Sequence, residues 1–184
     1  ELSKLAENSF RDLNIAFANE ISIICDNLGI NVWKLIEIAN RHPRVEILQP
    51  GPGVGGHCVA IDPWFIVENS PNEAQLIRTA RLVNDAKPSF VLGKVNEAVQ
   101  TIGKNISKLS IACLGLAFKP NIDDLRESPA LSISLAISAM GFGSTFLVEP
   151  NIDRTPDSFS GKDVRLVDLE MAIYSADIIV LLVD

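Results

Sequence analysis

The chain has 184 residues, of which 47% are hydrophobic and 21% charged, enough apolar material for the core of one or two globular domains. Its formal net charge of −7, without a run of Lys and Arg, argues against nucleic acid as a partner. No apolar stretch approaches the roughly 18 residues of a membrane-spanning helix, and three widely spaced cysteines, with neither a disulfide framework nor a zinc pattern, indicate a reducing, cytoplasmic setting.

The first part of the chain, to about residue 105, is predicted to be helical around a single loop. Over residues 2–28 the helical period is followed by the apolar residues Leu2, Leu5, Ala6, Phe10, Leu13, Phe17, Ile21, Ile24 and Leu28. Gly29 supplies the end of this helix. A helix of this length packs within its own chain or, on the sharper interpretation, in a dimer interface. Three more helices are predicted, over residues 31–39, 72–84 and 88–105.

The second part of the chain alternates strands with helices. Strands are predicted over residues 109–114, 145–148, 164–167 and 178–183, and helices over residues 128–140 and 168–175. This alternation is typical of a parallel, doubly wound sheet. We therefore expect an α + α/β chain with domains over residues 1–105 and 106–184. The last strand has the apolar run of a buried one, so we expect the sequence to be a segment of a longer chain.

The stretch QPGPGVGGHCVAIDPWF, residues 49–65, matches the dinucleotide pattern G-x-G-x-x-G through Gly51, Gly53 and Gly56. The context is wrong for that function, because no strand leads into the glycines, prolines interrupt them, and Pro63 is expected to forbid a useful helix after them. Glycines also let a backbone turn sharply and approach a ligand closely. They could thus serve Cys58, or the stretch could be an ordinary connection with a buried thiol.

A second notable loop, GLAFKPNIDDLRESP at residues 115–129, follows the first predicted strand. Open α/β sheets bind ligands at the carboxyl ends of their strands. The loop carries Lys119 and Arg126 and ends at the start of a helix, a combination that suits a phosphate or pyrophosphate. The alternative is a solvated loop in which these cations pair with Asp123, Asp124 and Glu127.

Three long segments resemble the UDP-sugar 6-dehydrogenases, a family that includes UDP-glucose and GDP-mannose dehydrogenases. They are ELSKLAENSFRDLNIAFANE, NRHPRVEILQPGPGVGGHCVAIDPWF and GLAFKPNIDDLRESPA. The resemblance implies an all-helical central dimerisation domain followed by an incomplete, Rossmann-like UDP-binding domain. It further implies an NAD-dependent enzyme, a homodimer that oxidises the C6 alcohol of a UDP-sugar to a carboxylate in two hydride transfers, in the synthesis of surface polysaccharide precursors. The family's NAD-binding domain would precede this segment.

The resemblance also assigns the catalytic residues. Cys58 would be the nucleophile that forms a thiohemiacetal and then a thioester, a step that suits a thiolate. Lys4 would be an acid/base or oxyanion-stabilising residue, and Asn8, on the same helical face, would orient water or the C6 oxygen. Asp62 matches a family aspartate whose role could be structural or catalytic.

The binding residues follow from the same resemblance. The UDP-sugar contacts would be Asn8, Arg11, His42, Arg44, Gly55, Phe118 and Lys119, and Arg126 would reach NAD. His57, where UDP-glucose dehydrogenases carry serine, favours an N-acetylated amino sugar without distinguishing between such sugars. The segments NRHPRV and DPWF favour UDP-N-acetyl-D-mannosamine, with UDP-GlcNAc or UDP-GalNAc as alternatives. No metal site is expected, since His42 and His57 are the only histidines and lack a carboxylate pattern. A dimerising, nucleotide-binding module without catalysis remains the rival hypothesis.

Overall fold

The computed structural model describes residues 1–184, which form two compact units, Glu1–Lys87 and Pro88–Asp184. The α-helices are α1 Leu2–Leu28, α2 Val32–Ala39, α3 Asp62–Asn69, α4 Gln75–Ile102, α5 Pro129–Ser138 and α6 Leu169–Ser175. The strands are β1 Ser110–Leu114, β2 Ser144–Val148, β3 Val164–Leu166 and β4 Ile178–Leu181. The helical first part and the strand–helix alternation of the second part are confirmed. The domain boundary near residue 105 stays a prediction, since the compact units divide earlier, inside α4.

The ends of α1 and α2 lie where capping residues place them. Gly29 ends α1 in the left-handed conformation, with φ of 67°, which costs glycine no steric strain. The Asn31 side chain then accepts a hydrogen bond from the Lys34 amide at 3.0 Å and begins α2. Both helices agree with the sequence prediction to within a residue.

A buried polar network joins α1 to α4 within the first unit. Arg81 Nη1 donates to Asp12 Oδ1 at 2.5 Å, and Asn84 Nδ2 donates to the same oxygen at 2.8 Å. Asn19 Nδ2 donates to Asn84 Oδ1 at 2.8 Å, while Asn19 Oδ1 accepts from the Gly51 amide at 2.9 Å. The four side chains are at most 2% exposed. The network ties Gly51, the first residue of the glycine-rich segment 51–58 (the glycine loop), to both helices.

Two sequence predictions about prolines are wrong. Pro63 does not prevent a helix; it lies in the first turn of α3, where a backbone N–H has no helical partner in any case. Pro88 does not begin a new helix either, because α4 continues through it from Gln75 to Ile102. An internal proline costs about 3 kcal/mol. Packing of α4 on either side of Pro88, by Arg81 and Asn84 before it and Val95 after it, offsets that cost.

The second unit is a parallel sheet with strand order β3-β2-β1-β4 and helices on both faces. Ile111, Cys113 and Leu147 face the larger core, formed with α5 and the end of α4. Ala112 and Phe146 face α6 on the other side. The predicted doubly wound, Rossmann-like fold is confirmed, and its strand order reverses direction at β1.

Strand β4 departs from the prediction of a fully buried strand. It pairs only with β1 and forms one edge of the sheet. Ile178 faces the larger core, but Ile179 and Leu181 lie on the opposite face and are exposed. Among the six helices, none combines the length and the apolar character that crossing a membrane requires.

Candidate active site

The four predicted catalytic side chains meet in the first unit. Lys4 Nζ lies 3.7 Å from Cys58 Sγ and 2.9 Å from Asp62 Oδ2. Asn8 Nδ2 donates to the same Asp62 oxygen at 2.6 Å. Lys4 and Asn8 share one face at the beginning of α1, and Cys58 and Asp62 come from a segment 54 residues further along the chain. We call these four side chains the cysteine cluster.

The position of Cys58 depends on the helix that follows it. Its carbonyl accepts hydrogen bonds from the Ile61 amide at 3.1 Å and the Asp62 amide at 2.8 Å, so that the cysteine leads directly into α3. Gly56, two residues before Cys58, has φ of 81°, a backbone conformation that residues with a Cβ rarely adopt. The glycines thus turn the chain ahead of the thiol, which is half-buried.

The cysteine cluster is organised around an ion pair. The hydrogen bond to Asp62 and its negative charge raise the pKa of Lys4, and the same hydrogen bond lowers the pKa of Asp62 in spite of its burial. Lys4 is therefore a cation and Asp62 an anion at neutral pH. Since the ammonium group also contacts Cys58 Sγ, it places a positive charge beside the sulfur and would stabilise an oxyanion formed there. A lysine held in this state cannot accept a proton.

The other predicted residues of the first unit lie outside this cluster. Arg11, His42 and Arg44 are exposed, and no hydrogen bond or ion pair connects them to Cys58. His42 Nδ1 accepts from the Arg44 amide at 3.2 Å, which fixes these two residues relative to each other. Gly55 is half-buried in the glycine loop.

The predicted nucleotide residues lie on the loop between β1 and α5. Phe118 is half-buried, and Lys119 Nζ lies 5.8 Å from the centre of its ring. Arg126 is exposed and forms a bidentate ion pair with Asp124, at 2.9 and 2.7 Å. A groove of about 660 Å³ beside this pair is lined by Asp123, Asp124, Leu125, Arg126, Leu131 and Pro156. Sequence analysis offered a phosphate-binding loop or a solvated loop with local ion pairs. The structure has features of both, because Arg126 is paired locally while Lys119 is exposed.

Sequence analysis missed two groups that hold these loops. One is Asn19, which binds the glycine loop at Gly51. The other is Glu149, whose carboxylate accepts from the amides of Leu116 and Ala117 at 2.9 and 3.1 Å. Glu149 was detectable in principle as an acidic residue that directly follows an apolar strand.

Comparison with known proteins adds family evidence to this geometry. Residues 1–86 match the central domain of the UDP-glucose/GDP-mannose dehydrogenase family, and residues 112–184 match the UDP binding domain of the same family. UDP-N-acetyl-D-mannosamine dehydrogenase from Yersinia pestis is 58% identical over the whole of this chain. NDP-N-acetyl-D-galactosaminuronic acid dehydrogenase from Ralstonia solanacearum is also 58% identical. The chain spans 44% and 42% of the lengths of these two relatives.

Solved structures give the same result. The structure of a UDP-D-ManNAc dehydrogenase from Pyrococcus horikoshii matches the whole chain with a TM-score of 0.85 and 40% identity. An NDP-N-acetyl-D-galactosaminuronic acid dehydrogenase from Methanosarcina mazei matches 99% of it, with a TM-score of 0.83 and 29% identity. The chain covers 41% and 40% of those two structures.

Proposed function

Because the chain belongs to the UDP-glucose/GDP-mannose dehydrogenase family, we propose that its protein oxidises the C6 alcohol of a UDP-linked N-acetylated amino sugar to a carboxylate. The observation that carries this proposal is the cysteine cluster, in which a cation contacts both a thiol and a buried carboxylate. UDP-N-acetyl-D-mannosamine is the preferred substrate, supported by relatives of that name. A UDP-linked galactosamine derivative is the alternative substrate, supported by the name of the Ralstonia relative.

In the first oxidation, the C6 hydroxyl loses its proton to water and C6 loses a hydride, which gives an aldehyde. The Lys4 ammonium, held by Asp62 and Asn8, stabilises the negative charge that develops on the C6 oxygen. Lys4 thus acts as the oxyanion-stabilising residue rather than the base, and Asp62 acts by holding Lys4 protonated. NAD, the cofactor that the resemblance implies, would supply the acceptor for the hydride of each oxidation.

The second oxidation requires Cys58. Its thiolate attacks the aldehyde carbon, a C–S bond forms, and the oxyanion takes a proton to give a thiohemiacetal. Loss of a second hydride from C6 and of the hydroxyl proton leaves a thioester. Water then adds to the thioester carbon, the C–S bond breaks, and the products are the carboxylate, the regenerated thiolate and two protons, which pass to solvent. Lys4 contacts the sulfur at 3.7 Å, so its positive charge lies beside the sulfur both when it attacks and when it leaves.

The remaining predicted residues have binding roles in this proposal. Phe118 and Lys119 would hold the uridine diphosphate, the lysine through its charge. The sugar contacts would be Arg11, His42, Arg44, Asn8 and Gly55. For NAD, the fit within this chain is limited to Arg126, whose exposed guanidinium would exchange Asp124 for a phosphate oxygen. The glycines at residues 51–56 do not fit a dinucleotide, because they lie in an irregular segment that leads to Cys58.

We also propose a homodimer formed through α1. Its exposed apolar side chains are Leu2, Phe10, Phe17, Ile24 and Leu28. Phe10, Phe17 and Ile24 follow one another every seven residues and therefore lie on one side of the helix. A second copy of the same helix would cover this stripe.

The proposal is tested by Cys58→Ser in the protein at its natural length. A serine hydroxyl is barely ionised at neutral pH, so steady turnover should fall at least about a hundredfold. The first oxidation needs no thiolate, and single-turnover mixing should still show a small burst of NADH. Cys25→Ser is the matched control, because Cys25 is buried in α1 outside the cluster. Turnover of Cys58→Ser within about tenfold of wild type, or about 1.4 kcal/mol, would contradict the mechanism.

A further inference from the structure

Glu149 follows the last residue of β2 and is 6% exposed. Its Oε2 accepts hydrogen bonds from the backbone amides of Leu116 and Ala117, at 2.9 and 3.1 Å. Its Oε1 accepts from the Asn151 amide at 3.2 Å and from Asn151 Nδ2 at 2.9 Å. All four donors are neutral N–H groups, so the carboxylate is bound as a small anion is bound in a backbone nest.

These hydrogen bonds keep Glu149 ionised. Burial would raise the pKa of its carboxyl group, but the donors from Leu116, Ala117 and Asn151 together outweigh burial and lower it. At neutral pH a negative charge therefore lies at the carboxyl end of β1. Its position is fixed, since Asn151 holds one oxygen while the loop holds the other.

The position of this charge is unusual for the fold. In doubly wound sheets, the amides that follow the first strand bind a phosphate of the nucleotide at the point where the strand order reverses. Here β1 lies at that point, between β2 and β4. The amides of Leu116 and Ala117, which would be available to a phosphate, are already bound to Glu149.

The same amides directly precede the nucleotide-binding segment proposed above. Leu116 is held on its other side as well, because its carbonyl accepts from Ser128 Oγ at 2.7 Å. Phe118 and Lys119 follow without an intervening residue, and the Phe118 amide lies 3.4 Å from the Asp124 carbonyl. Glu149 thus fixes the backbone from which the Phe118 and Lys119 side chains extend.

We propose that Glu149 is a positioning residue, an internal anion that occupies the phosphate position at the end of β1 and orients Phe118 and Lys119 for a nucleoside diphosphate. The inference rests on the proposed function, since it takes these two residues as the UDP contacts. It also assigns the diphosphate to the side chains of the loop instead of to the amides at the end of β1.

The test is titration calorimetry of UDP alone into the protein at its natural length. Glu149→Ala should weaken UDP binding about tenfold or more, because the loop loses an acceptor for two amides. Excess formate, a small carboxylate, should enter the vacated position and restore most of that affinity. Lys119→Ala should also weaken binding, but formate should not restore it. Glu170→Ala, which removes an exposed acidic residue from the first turn of α6, should bind UDP as wild type does.

Glu149→Gln keeps the test decisive if the alanine variant does not fold. Its amide oxygen can still accept from Leu116 and Ala117, while its N–H groups oppose those of Asn151. We expect a KM for the UDP-sugar raised several-fold at unchanged kcat. Any of three results would overturn the inference. In the first, a folded Glu149→Ala binds UDP within twofold of the wild-type affinity; in the second, it binds UDP more weakly but formate does not restore the affinity. In the third, Glu149→Gln shows a fall of kcat at unchanged KM. Failure of the wild type to bind UDP would instead overturn the proposed function.

Discussion

Replacing Asn19 by alanine should detach the glycine loop from the helices that hold it. Asn19 is fully buried in α1, accepts a hydrogen bond from the Gly51 amide and donates one to Asn84 Oδ1. Alanine removes both hydrogen bonds. Asn84 then keeps its donors on Asp12, but its own oxygen loses its partner in a position that is 1% exposed.

The magnitude follows from what each partner can do afterwards. A buried acceptor without a donor costs about 1–3 kcal/mol, and the half-buried Gly51 amide, which water can reach, costs a further 0.5–1.5 kcal/mol or so. The free energy of unfolding should therefore fall by about 2–4 kcal/mol. For a domain of 150–250 residues this corresponds to a decrease of Tm on the order of 5–15 °C.

The assay is thermal and urea unfolding of the wild type, Asn19→Ala and the matched control Asn14→Ala. Asn14 lies on the same helix but makes only a local hydrogen bond, to the Phe10 carbonyl at 2.7 Å. Its variant should lose less than about 0.5 kcal/mol. In Asn19→Ala we also expect kcat to fall, because Gly51 begins the loop that ends at Cys58. Equal losses of stability in the two variants would refute the assignment of the network.

Two further predictions concern the first unit. Burial lowers the pKa of Lys87 to about 8 from 10.5, so the folded state binds fewer protons and stability should rise between pH 8 and pH 10.5, by at most about 3 kcal/mol. Lys87→Met should remove this rise in plots of Tm against pH. The control is Lys94→Met, a change at a more exposed lysine of α4, which should keep the rise. If the rise is unchanged in Lys87→Met, the prediction is wrong. Phe17→Glu should turn the proposed dimer into a monomer in sedimentation at roughly tens of micromolar, while Tyr174→Glu on α6 should not. If the wild type sediments as a monomer, the proposed homodimer is wrong.

Much of the fold could be predicted because its signals are local. The period of Phe10, Phe17 and Ile24 indicated α1, and the alternation of apolar runs indicated the parallel sheet. The N-caps Asn31 and Ser128 lie next to the helices they begin. The errors at Pro63 and Pro88 have one cause: the sequence shows the local penalty of a proline but not the packing that offsets it.

The cysteine cluster was only partly predictable. Spacing placed Lys4 and Asn8 on one face of a helix, and composition singled out the loop of Cys58. No local rule brings residues 54 apart into contact, so their meeting was expected only through the resemblance to a family. Glu149 was missed for the same reason, since the amides that it binds come 32 and 33 residues earlier in the chain.

The two sides of α1 differ in character, and this difference explains how one helix can carry both residues of the cysteine cluster and the proposed dimer interface. Its buried side in this unit is largely polar, with Asn8, Asp12 and Asn19 among its members, and Lys4 precedes them by one turn. Its apolar stripe, which periodicity would place in a core, is exposed instead: Phe10 is 69% and Phe17 49% exposed. An exposed stripe of large apolar side chains marks an interaction surface in most proteins. Because the polar side is already filled by the cysteine cluster and the Asp12–Arg81 network, a partner of α1 can reach the apolar side without disturbing either.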